Sequence, residues 1–166
     1  DADKVLAEVE GAIVLAGTAG PFTLTARADR IDVGEAGVVI TDYKTGSNIK
    51  DLARRAVQGE APQLPLEAAI AAAGGFAGLP AAKVTELRYI SSSGGEPPGQ
   101  ECTLRNGDVV QLAAAARQGL ERLIATFDDA DTPYRALRRA RFTYRYDDYA
   151  HLARVAEWSA ETDEEV

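Results

Sequence analysis

Two carboxylates and a lysine lie in a stretch of this chain that is patterned to bring them to one place. Ala28-Asp29-Arg30-Ile31-Asp32 is followed shortly by Ile40-Thr41-Asp42-Tyr43-Lys44-Thr45-Gly46. Phe22 to Val33 reads as one strand and Val38 to Lys44, rich in β-branched residues, as its partner. Gly34-Glu35-Ala36-Gly37 reads as a four-residue turn between them. That loop pairs Val33 with Val38, and the register carried onward sets Asp29 opposite Asp42. Like charges facing each other across a ladder destabilise it, and a cation between them is the usual remedy. Lys44 shares the face of Asp42 because strand side chains alternate. The expected product is a small acidic pocket with an ammonium at its rim.

Mg2+ or Mn2+ suits such a pocket, since hard cations take oxygen ligands and are often held by one or two carboxylates plus a substrate phosphate. An ion there can polarise a phosphodiester and orient or supply hydroxide. A lysine beside it can offset charge developing on the phosphate. Asp29 and Asp42 are the candidate ligands, the Tyr43 backbone carbonyl is a further one, and Lys44 is the candidate catalytic cation. The same residues also suit an ordinary hairpin whose lysine neutralises surface carboxylates.

The elements that must position these groups can be read in outline. Val5 to Leu15 predicts a strand before the hairpin, closed by Ala16-Gly17-Thr18-Ala19-Gly20-Pro21. Ser47 to Glu60 is polar and partly helical, ending at Gly59. Gln63 to Ala73 predicts a helix, preceded by Pro62 and stopped by Gly74-Gly75. Val84 to Ile90 predicts a strand, Ser91 to Gly99 a loop, and Cys102 to Leu104 a short edge strand. Asp108 to Phe127 predicts a long helix with an apolar stripe of Val109, Leu112, Ala116, Leu120, Leu123, Ile124 and Phe127. Three antiparallel strands, a helix, a strand and a later helix make an α/β or α+β sheet flanked by helices.

Composition limits the function classes. A chain of 166 residues, 46% hydrophobic, can bury one sizeable core. Its net charge of −8 argues against holding nucleic acid mainly by bulk electrostatics. A metal-centred site tolerates that balance better, because the cation recruits phosphate locally. Cys102 is the single cysteine, which excludes an internal disulfide and any iron–sulfur cluster built from this chain alone. No signal peptide and no apolar run of membrane-spanning length is visible, so a cytoplasmic location away from membranes is expected. The absence of methionine, position 1 included, reads as a piece of a longer chain.

The wording of the motifs adds to their spacing. Asp29-Arg30-Ile31-Asp32, a turn, and then Asp42-Tyr43-Lys44-Thr45-Gly46 resembles the RecB-type branch of the PD-(D/E)XK nucleases. The resemblance implies a restriction-endonuclease-like core, with Asp29 and Asp42 as metal ligands and Lys44 as the catalytic lysine. It also makes Gln63, in Ala61-Pro62-Gln63-Leu64-Pro65-Leu66-Glu67, a helix glutamine beside the active site; Arg30 and Gln63 become candidate DNA contacts. Two positions depart from the pattern. Ala26 stands where glycine is usual, and Glu67 stands where an aromatic residue is often found, which puts any stacking role there in doubt.

Phe22 to Asp32, Pro62 to Ala68 and His151 to Trp158 together resemble the C-terminal nuclease domain of AddB-type double-strand-break repair subunits. That likeness implies DNA-end resection beside an AddA-type helicase–nuclease partner, by an exonuclease-type, Mg2+-dependent deoxyribonuclease domain. The alternative is a catalytically incomplete nuclease fold kept for DNA positioning or subunit assembly.

The resembled core opens with a helix that this chain lacks or reduces to Asp1-Ala2-Asp3-Lys4, and that helix commonly supplies a histidine or glutamate to the metal. Glu8 and Glu10, expected on one face of the first strand, are candidate substitutes, with a solvated strand face as the alternative. His151, the single histidine, reads as structural or surface. On this basis residues 1–130 form the nuclease core. Residues 131–166 form a tail in which Arg135, Arg138, Arg139, Arg141 and Arg145 interleave with Tyr134, Phe142, Tyr144 and Tyr146. That composition favours docking on protein over tracking nucleic acid, with Trp158 as a candidate anchor.

Overall fold

The turn after the second strand shows how closely local chemistry fixes this fold. Gly34 and Gly37 face each other as the last pair of the ladder, which leaves only Glu35-Ala36 as the loop. The four-residue turn expected from the sequence is therefore two residues tighter, and the register is unaffected: Val33 pairs with Val38, Ile31 with Ile40 and Arg30 with Thr41. Gly37 has φ 132°, and a Cβ there would run into the Lys83 carbonyl, so only glycine fits.

The computed structural model describes residues 2–45, 48–94, 99–104 and 109–133. Five strands and three helices follow in the order β1 (Lys4–Leu15), β2 (Phe22–Gly34), β3 (Gly37–Lys44), α1 (Ile49–Val57), α2 (Gln63–Ala72), β4 (Val84–Ser91), β5 (Glu101–Leu104) and α3 (Val109–Phe127). These elements lie in one unit, Asp1–Asp129. Among the described residues no helix precedes β1. The tail from Tyr134 onward, with His151 and Trp158, lies outside the described residues.

The strands form one mixed sheet in chain order, β1-β2-β3-β4-β5. All neighbours are antiparallel except β3 and β4, which run parallel. Parallel neighbours need a crossover, and α1 and α2 supply it. α1 starts at Asn48, whose side chain accepts the Asp51 N–H, and it packs on β4 and β5. α2 packs on β1, β3 and β4 and is covered in turn by α3. Its residues Leu64, Pro65, Ala68, Ala69, Ile70 and Ala71 are all buried, as expected of a helix that is apolar on most sides.

Two sequence expectations need correction. On α3 the face turned inward carries Val109, Ala113 and Ile124, with Leu120 packed against the core, while Leu123 and Phe127 are exposed. Helical periodicity alone placed the last two in the stripe; α2 covers too narrow a band of α3 to bury them.

The other correction concerns β1. Strict alternation would put Glu8 and Glu10 on one face, but alternation breaks here. Leu6 and then Val9, Ile13 and Leu15 turn inward on β1; Ala28 and then Ile31 do so on β2. Each strand therefore fits two residues, Ala7-Glu8 and Asp29-Arg30, between successive inward ones. The register stays constant across the break, with Leu6 opposite Ile31 and Val9 opposite Ala28. Glu8 absorbs the kink with φ 50°, a conformation unusual for a residue with a Cβ. Its carboxylate pairs with Arg27, which also lies opposite Glu10 in the ladder, and both glutamates are exposed. Their charge is taken up on the solvent face.

Candidate active site

Asp42, Lys44 and Gln63 converge where the C-terminal end of β3 meets the first turn of α2. Val38, Ile40 and Asp42 alternate inward along β3, so the pleat that buries two aliphatic side chains also buries the carboxylate, which is 3% exposed. Lys44 continues the same face, and its Nζ lies 3.0 Å from Asp42 Oδ1 and 2.8 Å from Oδ2. Gln63 is the first residue of α2, after Pro62. Its Nε2 donates to Asp42 Oδ1 at 3.0 Å, and its Oε1 accepts from Lys44 Nζ at 3.4 Å.

Asp29 joins from the kink. The β2–β3 ladder ends at Arg30 and Thr41, and the next position of that register is Asp29 and Asp42. There the Asp29 side chain replaces the backbone: its Oδ2 accepts the Tyr43 N–H at 2.9 Å. The extra residue in β2 thus becomes a half-buried carboxylate tied to the strand that carries Asp42. Arg30 turns to the other side of the sheet and is held by Asp32, with contacts of 2.8 to 3.0 Å. Of the residues singled out in the sequence, Asp42, Lys44 and Gln63 are in direct contact, Asp29 is fastened next to them, and Arg30 is committed to Asp32.

Two members of the site had no assigned role in the sequence. Glu67 is one turn after Gln63 on the same face of α2. It is 2% exposed, and its Oε1 accepts from Gln63 Nε2 at 3.2 Å. Burial pushes its carboxyl up from the ordinary 4.5 to about 7; the Asp42 and Asp29 charges add to the rise, while the Gln63 hydrogen bond and Lys44 oppose it. The signal was a lone carboxylate in the otherwise apolar run Leu64-Pro65-Leu66-Glu67-Ala68-Ala69-Ile70. The second is Tyr89, which lies beside Asp42 in the parallel β3–β4 register and is 1% exposed. Burial and then the neighbouring Asp42 and Glu67 raise its phenol pKa, so it stays neutral and backs the site. In the sequence it was indistinguishable from a core aromatic.

The electrostatics are unbalanced. Asp42 Oδ2 and Glu67 Oε2 are buried and receive no directed hydrogen bond, although the Lys44 ammonium stands close to the former. A buried carboxylate oxygen left as Glu67 Oε2 is left is costly, and a hard cation beside Asp42 would offset that cost. The donor set therefore fits Mg2+ or Mn2+. Among the described residues no three of His, Cys, Asp and Glu already converge tightly enough to ligate one ion.

A mixed sheet with this crossover, bearing paired carboxylates and a lysine at the end of β3, defines a nuclease-type α+β domain. The family model of the PD-(D/E)XK nuclease superfamily matches residues 2–149, and the chain belongs to that superfamily. No curated protein matches the sequence. Among solved structures, one titled "Crystal structure of SSO0001" is 12% identical with a TM-score of 0.41, over 70% of this chain and 49% of that one. The chain thus spans about half the length of that structure. No described helix is long and apolar enough to cross a membrane.

Proposed function

We propose that this chain is a Mg2+- or Mn2+-dependent deoxyribonuclease domain of exonuclease type, working in DNA double-strand-break end resection and recombinational repair. The AddB-like wording of Phe22 to Asp32 and Pro62 to Ala68 supports an AddB-type subunit acting with an AddA-type helicase–nuclease partner in the cytoplasm. The observation that carries the catalytic part is the Asp42–Lys44–Gln63 cluster, with the buried, unpartnered Glu67 Oε2 beside it. A domain kept only for assembly has no need of that arrangement.

In this reading Asp29, Asp42 and the Tyr43 carbonyl hold the cation. When bound, the ion supplies Lewis-acid polarisation of the scissile phosphodiester. Lys44 presents a fixed ammonium to the charge that develops on the phosphate oxygens, and Asp42 holds that ammonium in place. Gln63 sets the distance between the lysine and the carboxylate with one amide, donating to Asp42 and accepting from Lys44. Tyr89 and the apolar face of α2 exclude water from behind Asp42.

The test is a calorimetric titration with Mn2+ together with cleavage of end-labelled single- and double-stranded DNA, with and without the partner subunit. Mn2+ binding that Asp42→Asn abolishes, with metal-dependent release of nucleotides from DNA ends, is the expected result. A folded protein that binds neither Mn2+ nor Mg2+ would refute the reading in favour of an assembly module.

A further inference from the structure

Glu67 has an oxygen to spare. Holding Gln63 takes only Oε1, and a glutamine in its place could accept the same bond without burying a charge. Instead the site buries a carboxylate whose Oε2 has no hydrogen-bond partner, on the same side of the sheet as Asp42, whose Oδ2 is met only by the Lys44 ammonium. Gln63 Nε2 stands between the two acids, donating to Asp42 Oδ1 and Glu67 Oε1 at once. An amide nitrogen shared by two carboxylates occupies the place a cation would take. Once Glu67 is ionised, Asp29, Asp42 and Glu67 set against the single ammonium of Lys44 leave two negative charges, the complement of a divalent ion.

We propose that Glu67 contributes its carboxylate to the divalent-cation centre, as the acidic partner of Asp42 across Gln63. The proposal rests on the metal-dependent reading above. α2 carries Glu67 as part of the core and so fixes it relative to β3. Neither exposed glutamate of β1 is then needed. The raised pKa of Glu67 in the metal-free protein accords with this geometry: burial first, and then the Asp42 and Asp29 charges, oppose its ionisation.

Mn2+ affinity, measured by calorimetry at pH 8 and checked by the thermal shift Mn2+ induces, tests the assignment without relying on catalysis. Wild type, Asp42→Asn, Glu67→Gln and Glu67→Asp are compared, each first shown to be folded by circular dichroism. Glu67→Gln is expected to weaken Mn2+ binding about tenfold or more. Glu67→Asp, which keeps the charge but withdraws it by one methylene, should also weaken it. Glu67→Gln within about twofold of wild type, with Asp42→Asn weak, overturns the role of Glu67 alone. Glu67→Asp equal to wild type while Glu67→Gln is weak also overturns it, leaving Glu67 a distant charge. No Mn2+ binding by wild type removes the metal-dependent reading and this inference together.

Discussion

Lys44 and Asp42 touch, yet their substitutions should separate. Asp42→Asn removes a charge from the proposed metal site, so Mn2+ affinity and cleavage should fall together, while metal-free stability holds or rises as carboxylate repulsion is relieved. In the proposed mechanism Lys44→Ala removes a cation that acts on the transition state and not on the ion. Its Mn2+ affinity should persist while the cleavage rate falls by about two orders of magnitude or more. Near-wild-type cleavage by Lys44→Ala would reduce the lysine to a surface counter-ion. Glu67 makes a pH prediction of its own. Its folded pKa of about 7 lies above the ordinary 4.5, so the folded state holds its proton more tightly than the unfolded chain does. Stability of the metal-free protein should therefore fall as pH rises from about 4.5 to 7, by roughly 3 kcal/mol at one pKa unit per 1.36 kcal/mol. Urea melts across that range should show the loss in wild type and not in Glu67→Gln.

At the scale of elements, the hairpin register and the helix after Pro62 were legible because each rests on local chemistry. Glycines closed the turn, alternating apolar residues fixed the faces, and Gln63 opened an alanine- and leucine-rich run. What escaped was set by contacts distant in sequence. The matched kink at Glu8 and Asp29 breaks alternation in two strands at once, and no single-strand pattern reveals it. The burial of Glu67 goes with the Gln63 face of α2, which is turned to Asp42, and α2 packs on β3 and β4. Another long-range fit joins β1 to the loop after α2: Gly11 bridges to Phe76, Ala12 N–H donates to the Gly75 carbonyl at 3.0 Å, and Ala77 N–H to the Glu10 carbonyl at 3.0 Å. These bonds occupy the central part of an edge strand that would otherwise invite pairing with another chain. A Cβ on Gly11 would meet the Phe76 ring, which is 2% exposed. Gly11→Ala should cost about 1–3 kcal/mol in equilibrium denaturation and leave Mn2+ affinity unchanged, since the clash is confined to this edge.

Across the whole chain, the proposed function meets a constraint from acidity. With a net charge of −8, long-range attraction to a polyanion is unfavourable, and the described arginines are largely engaged with carboxylates. DNA retention should therefore depend on the divalent ion. Chelation with EDTA is expected to abolish filter binding of DNA, and Ca2+ or Mn2+ to restore it. Retention that survives EDTA would place the DNA contacts away from the carboxylates.

The matched kink also bears on how the site could be lost. Asp29 occupies a position that an uninterrupted hairpin would not contain, because β1 and β2 each carry one residue more than strict alternation needs. Deleting Glu8 alone would turn every residue of β1 before it to the wrong side of the sheet. Deleting Glu8 and Asp29 together would restore the two-residue repeat through both strands and remove the left-handed residue. That double deletion is expected to fold at least as stably as the parent while losing affinity for Mn2+. On the proposed reading, the chain thus lies one paired deletion away from a smoother relative that lacks one of its cation ligands, a ligand placed by an irregularity that selection for stability alone would erase.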